Sequence, residues 1–108
     1  MKANGSLDPI MPKENYIKLN DIFATYFSKQ LDSIGSLYFT KEVFDGTYPG
    51  YGSSYPDLQG GLGILFEQAS SRGLKQKTAF GEITFPFTIR NQYVSSLATV
   101  QAAVENKK

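Results

Sequence analysis

Histidine and cysteine are both absent from the 108 residues, and the two zeros exclude a good deal of chemistry. Without His or Cys, a catalytic zinc site of the usual kind cannot be built from this sequence alone. A Ser-His-Asp or Cys-His nucleophile system is excluded as well. With no cysteine there is also no disulfide framework and no thiolate site. An excess of one charge sign is missing too: Lys plus Arg number 11 and Asp plus Glu 10, for a net charge of +1. The two signs are interspersed, so there is no electrostatic case for nucleic acid or for an anionic membrane. The locally basic stretches, Arg72 to Lys77 and Lys107-Lys108, read as solvated surface. No run approaches the ~18 apolar residues of a membrane span. The N-terminal Met-Lys-Ala-Asn-Gly-Ser-Leu-Asp-Pro lacks the apolar core of a signal peptide. The length suits one domain.

Two helices stand out among the residues that are present. Residues 1–12 hold Gly5, Pro9 and Pro12 and read as an irregular lead-in. Pro12 suits a first helical turn, and Glu14 suits the positive end of the helix dipole. From Lys13 to Ile34, Leu19, Ile22, Phe23, Tyr26, Phe27, Leu31 and Ile34 recur at three- and four-residue steps, which predicts an amphipathic helix. Gly35 is a natural stop. This aromatic stripe reads as a face packed on a sheet rather than a ligand surface. A second helix is expected from Pro86 to Val104, with Ile89, Tyr93, Leu97, Val100 and Val104 along one face and residues 105–108 frayed. Thr84 or Phe85 stands near its cap position.

Strands are expected at Leu37-Tyr38-Phe39-Thr40, extended or cornered by Val43 and Phe44, at Gly63-Ile64-Leu65-Phe66, and at Ile83-Thr84-Phe85. The middle run lacks alternation, which suggests burial on both faces. Residues 69–81 are small and polar and read as an excursion over the surface. The expected class is α/β: a partial mixed sheet of two or three strands flanked by an N-terminal and a C-terminal helix.

Tyr48 to Gly73 carries the chemistry of interest. Its first half holds Pro49, Pro56, Gly50, Gly52, Gly60 and Gly61, with Tyr48, Tyr51 and Tyr55 among them. Gly allows sharp turns and Tyr offers a flat face with a hydroxyl, so this is either a binding loop or a tyrosine-packed surface loop. Its second half ends in Glu67. A carboxylate directly after an apolar run is either presented at the open end of a sheet or buried and paired, and the sequence leaves both readings open.

Tyr48-Pro49-x-x-Gly52-x-Ser54, then Asp57, a Gly-rich stretch, and a hydrophobic run ending in Phe66-Glu67 resemble the C-terminal part of zinc metallocarboxypeptidases of the carboxypeptidase A-like type. Leu-Tyr-Phe-Thr-Lys-Glu, Gly-Ile-Leu-Phe-Glu-Gln-Ala-Ser-Ser-Arg-Gly and Thr-Phe-Pro-Phe-Thr-Ile-Arg-Asn-Gln look especially like a bacterial branch. The resemblance covers residues 10–104, with 13–104 as the domain segment, and corresponds to roughly the last third of such a catalytic domain. It implies Glu67 as the catalytic acid-base, Tyr48 as the mobile-loop tyrosine with Tyr51 as its fallback, and Tyr55 near the side-chain pocket. It also implies zinc in the full-length domain, a peptide substrate, and a secreted or periplasmic setting. The His-x-x-Glu pair and later His that hold zinc in that family lie upstream of the matching region. Neither they nor the substrate-carboxylate arginines are present here, and Arg72 and Arg90 do not match those positions. The resemblance therefore implies a C-terminal segment that binds no zinc and has no peptidase activity without the missing N-terminal half, and that self-associates when isolated. The competing expectation is a non-catalytic peptide- or glycan-binding module derived from the same fold, with the three tyrosines as its contact face.

Overall fold

The structure, a computed structural model, describes residues 13–39 and 47–107. Pro12 and the Thr40-to-Gly46 region, including Val43 and Phe44, lie outside the described residues. In chain order the elements are α1 (Lys13–Ser33), α2 (Tyr55–Leu58), β1 (Lys75–Thr78), β2 (Gly81–Thr84) and α3 (Phe85–Glu105). Among the described residues the fold is mixed, with helices and one two-stranded antiparallel sheet. The chain divides into two compact units. One takes in the described residues within Met1–Thr25 and Tyr38–Phe66, the other Tyr26–Leu37 and Glu67–Lys108. α1 contributes to both.

α1 keeps its expected apolar period, but Asn20 is buried as well and the side-chain bonds from its end run to α3 rather than to a sheet. Leu19, Ile22, Phe23, Tyr26, Phe27, Leu31 and Ile34 are half-buried or buried, while Lys18, Asp21, Lys29 and Asp32 are exposed. The helix ends where Gly35 takes a φ of +67°, and Ser36 N donates back to Leu31 O at 3.0 Å. That is a left-handed stop of the kind glycine supplies without a Cβ penalty.

In the second unit the end of α1 meets α3. Tyr26 Oη donates to Glu105 at 2.5 Å, Gln30 Nε2 donates to Gln101 at 3.4 Å, and Asn91 Nδ2 donates to Ser36 Oγ at 3.0 Å. As the numbers rise on the first side they fall on the second, so the two helices run antiparallel. The buried apolar residues are Leu31 from α1 and Ala98 and Ala102 from α3. α3 is started by Thr84, whose Oγ1 accepts from Phe87 N, with a proline in the first turn.

α3 departs from the sequence reading in the face that it buries. Its buried residues are Asn91, Ser95, Ala98 and Ala102. Ile89, Tyr93, Leu97, Val100 and Val104 are between 50% and 68% exposed. At 3.6 residues per turn the two sets lie about 170° apart, on opposite sides of the helix. Small side chains, with Ser95 Oγ satisfied by Asn91 O, line the inner side, and the bulky apolar stripe faces outward.

The strands also differ. Leu37, Tyr38 and Phe39 form no strand, and Leu37 and Phe39 are more than 70% exposed. Gly63–Phe66 forms no strand among the described residues, and Leu65 is exposed. Continuous apolar character therefore does not make this run a two-sided core strand. The third expected strand is present as β2, with Phe85 already the first residue of α3. Its partner, β1, lies inside the stretch read as an excursion. The register pairs Lys75 with Thr84 and Thr78 with Gly81. The turn is closed by Thr78 Oγ1, which donates to Gly81 O and accepts from Phe80 N. Phe85 N donates to Leu74 O at 3.0 Å, tying the base of the hairpin to the start of α3.

Candidate functional site

The tyrosine loop is built within the first unit. Tyr51 N donates to Tyr48 O, and Ser54 N and Tyr55 N both donate to Tyr51 O. This winds the chain into α2, with Pro56 in its first turn. Gly61 N returns to Pro56 O at 2.8 Å, and Gly60 takes a φ of +80° to make that return. Beneath the loop, Ser54 and Asp57 are almost completely buried. Asp57 Oδ1 accepts from Gly63 N at 3.0 Å, which fixes where the apolar run begins. Gly63 is pressed against the Ser53 backbone so closely that a Cβ would lie 2.5 Å from the Ser53 oxygen.

The braced loop holds its tyrosines out. Tyr48 and Tyr55 are more than half exposed and Tyr51 is 43% exposed. The Tyr48 and Tyr51 rings meet edge to face, with centroids 5.2 Å apart. Tyr48 lies down over Gly50, where an added Cβ would meet its ring at 2.5 Å. The loop thus brings Tyr48 and Tyr51 together in contact, and Tyr55 follows on α2. Asp57 appears in the sequence motif, but its role as the buried brace does not show there. Its signal is the one-turn spacing from Ser54 through a proline.

Glu67 opens the second unit. It is exposed and lies outside any helix or strand. Among the described residues it has neither a hydrogen bond nor an ion pair. Glu67 is therefore not buried and paired, and no strand among the described residues presents it at the end of a sheet. The residues that follow, from Gln68 to Leu74, line an open groove of about 550 Å³, with Phe85, Thr88 and Gln92 on its other side. Gln68 Nε2 donates to Thr88 O at 3.1 Å, while its buried Oε1 has no partner among the described residues. Arg72 stands at this open groove and is exposed, as the sequence reading has it. Nothing local in the sequence marks that placement, because the opposite wall comes from α3.

Zinc does not fit the residues present. The sequence has no His or Cys, and among the described residues no group of three or more His, Cys, Asp or Glu side chains could hold a metal ion. No family model, curated protein or solved structure matches the chain.

Proposed function

We propose that this chain is the acid-bearing C-terminal segment of a metallocarboxypeptidase-like protein, inactive alone, in which Glu67 carries the proton between water and the leaving amine. The observation that supports this reading best is the free, exposed carboxylate of Glu67 beside the start of a groove. A general base must reach its proton and must not be tied up in a structural ion pair. The tyrosines fit the same reading: a loop tyrosine that closes on a substrate must be exposed and must offer its hydroxyl. The order of motifs from Tyr48 to Glu67 supports the assignment to that family.

The alternative, a non-catalytic peptide- or glycan-contacting module, draws support from a separate feature. Three exposed tyrosines stand on a loop braced by buried Ser54 and Asp57, a rigid aromatic surface that needs no metal. One experiment separates the two. Zinc content and release of C-terminal residues from model peptides are measured on the native polypeptide that carries this sequence. The enzyme reading expects turnover that Glu67→Gln abolishes, by at least about a hundredfold, with zinc content unchanged. Turnover retained in Glu67→Gln overturns the assignment of Glu67. Absence of both zinc and turnover, with peptide or glycan binding that Tyr51→Ala removes, would establish the module instead.

A further inference from the structure

Tyr48, Pro49, Gly50 and Tyr51 form one tight turn, closed by Tyr51 N, which donates to Tyr48 O at 3.2 Å. Pro49 presets the first central position of such a turn. Gly50 holds the second, but its φ lies outside the left-handed region. The backbone there would accept a residue with a side chain. The Tyr48 ring is what leaves no room for one. It folds back over the turn, so that a Cβ on Gly50 would stand 2.5 Å from Cε1, 2.7 Å from Cζ and 2.9 Å from Oη. Gly50 therefore serves as a seat for a ring, and the bend itself does not require it. The Tyr51 ring meets the seated ring edge to face, at 81° to its plane. All of these residues belong to the first unit.

We propose that this seat is a latch: it holds Tyr48 in a resting position, with the hydroxyl folded onto its own loop, and a ligand recruits that hydroxyl by drawing the ring off Gly50. The ring atoms nearest the seat are those at the hydroxyl end, so the group able to donate to a ligand is the one held in. The hold is weak. Among the described residues the Tyr48 hydroxyl has no hydrogen-bond partner. Contact with one glycine and one edge-to-face ring pair keeps it down, and such a pair favours the seated ring roughly two- to tenfold. The seated state then dominates at rest, while a ligand that bonds the released hydroxyl shifts the population by its own differential affinity. Apparent affinity is lowered by the fraction of chains whose ring is seated, so the contact is mildly autoinhibitory. This inference rests on the reading, common to both alternatives above, that the loop tyrosines touch a ligand. The seat itself does not depend on that reading.

Proton NMR of the 108-residue chain reads the seat without any ligand. Through-space contacts are expected between the Tyr48 ring and the Gly50 α-protons, and the ring should shift those protons from their ordinary position. Tyr48→Leu should restore that position. Tyr51→Leu should reduce the shift, because the edge-to-face pair is lost. The effect on a ligand is read on the native polypeptide that carries this sequence, with the same model peptides. Gly50→Ala meets no left-handed backbone and displaces only the far end of a flexible side chain. It should lower KM roughly two- to tenfold, and should change nothing when Tyr48→Ala is also present. If no turnover is found, the enzyme reading falls, and the same ratio is read from peptide binding. Gly50 α-protons that are unshifted in the wild-type chain overturn the proposal. So does a Gly50→Ala protein whose affinity is equal to or weaker than wild type, or a gain that survives Tyr48→Ala.

Discussion

Tyr26 and Glu105 form the most informative side-chain pair between α1 and α3. The Tyr26 hydroxyl donates to the Glu105 carboxylate at 2.5 Å, and Asn106 Nδ2 donates to the same hydroxyl at 3.4 Å. The bond shifts both groups. The nearby carboxylate raises the Tyr26 hydroxyl above its ordinary 10.0, and the Tyr26 bond, then Gln101, lowers Glu105 below its ordinary 4.5. The signs set a window. Glu105, lowered in the folded state, contributes stability that is present above about 4.5 and is lost as pH falls through its lowered value. Tyr26, raised in the folded state, contributes stability that is present below about 10 and is lost as pH rises through its raised value. The stability difference between wild type and Tyr26→Phe, followed by denaturant unfolding, should therefore form a plateau between those limits and shrink on both sides. The other titrating groups cancel in that difference. A difference that does not vary with pH would show that the bond contributes nothing in solution.

At the scale of elements, the hairpin depends on one glycine. Gly81 has a φ of +115°, a region that residues with a Cβ rarely adopt, and nothing lies within 4 Å of where a Cβ would stand. The cost of Gly81→Ala is therefore backbone strain alone, about 1–3 kcal/mol. It should appear as a lowered denaturation midpoint, and a midpoint unchanged from wild type would mean that the β1–β2 turn is not held in this conformation. The same hairpin shows where the sequence stops being legible. Both long helices could be read, because a 3.6-residue period, Gly35 and the Thr84–Pro86 start are local signals. β1 could not, because Lys75-Gln76-Lys77-Thr78 has no apolar alternation, and a short exposed ladder needs none. Gly63–Phe66 misleads in the opposite sense: it has strand-like composition, but among the described residues it forms no strand. For α3 the period is correct and the direction is not. Periodicity locates a stripe but cannot tell whether it faces the chain's own core or something else. The candidate site divides similarly. The Gly-Pro-Tyr loop and Glu67 are visible as residues. The burial of Asp57, the free state of Glu67 and the placement of Arg72 beside a groove depend on contacts distant in sequence.

At the scale of the molecule, the apolar residues buried among those described are Leu31, Ala98 and Ala102, and two of these are alanines with little surface to remove from water. A chain of this length has the material for a larger core. Much of that material is placed outward instead, on α3. The exposed α3 stripe is apolar surface that self-association of the isolated chain, expected from the sequence, would cover. Anything that binds the folded chain and not the unfolded one raises its apparent stability with concentration, and for a dimer that binder is the chain itself. The thermal midpoint of the wild-type chain should accordingly rise by several degrees over about a hundredfold increase in protein concentration. Leu97→Glu should unfold at a lower midpoint that does not move with concentration. A concentration-independent wild-type midpoint would place the stabilising contacts within the single chain, and α3 would then have to be stable with its apolar side in water.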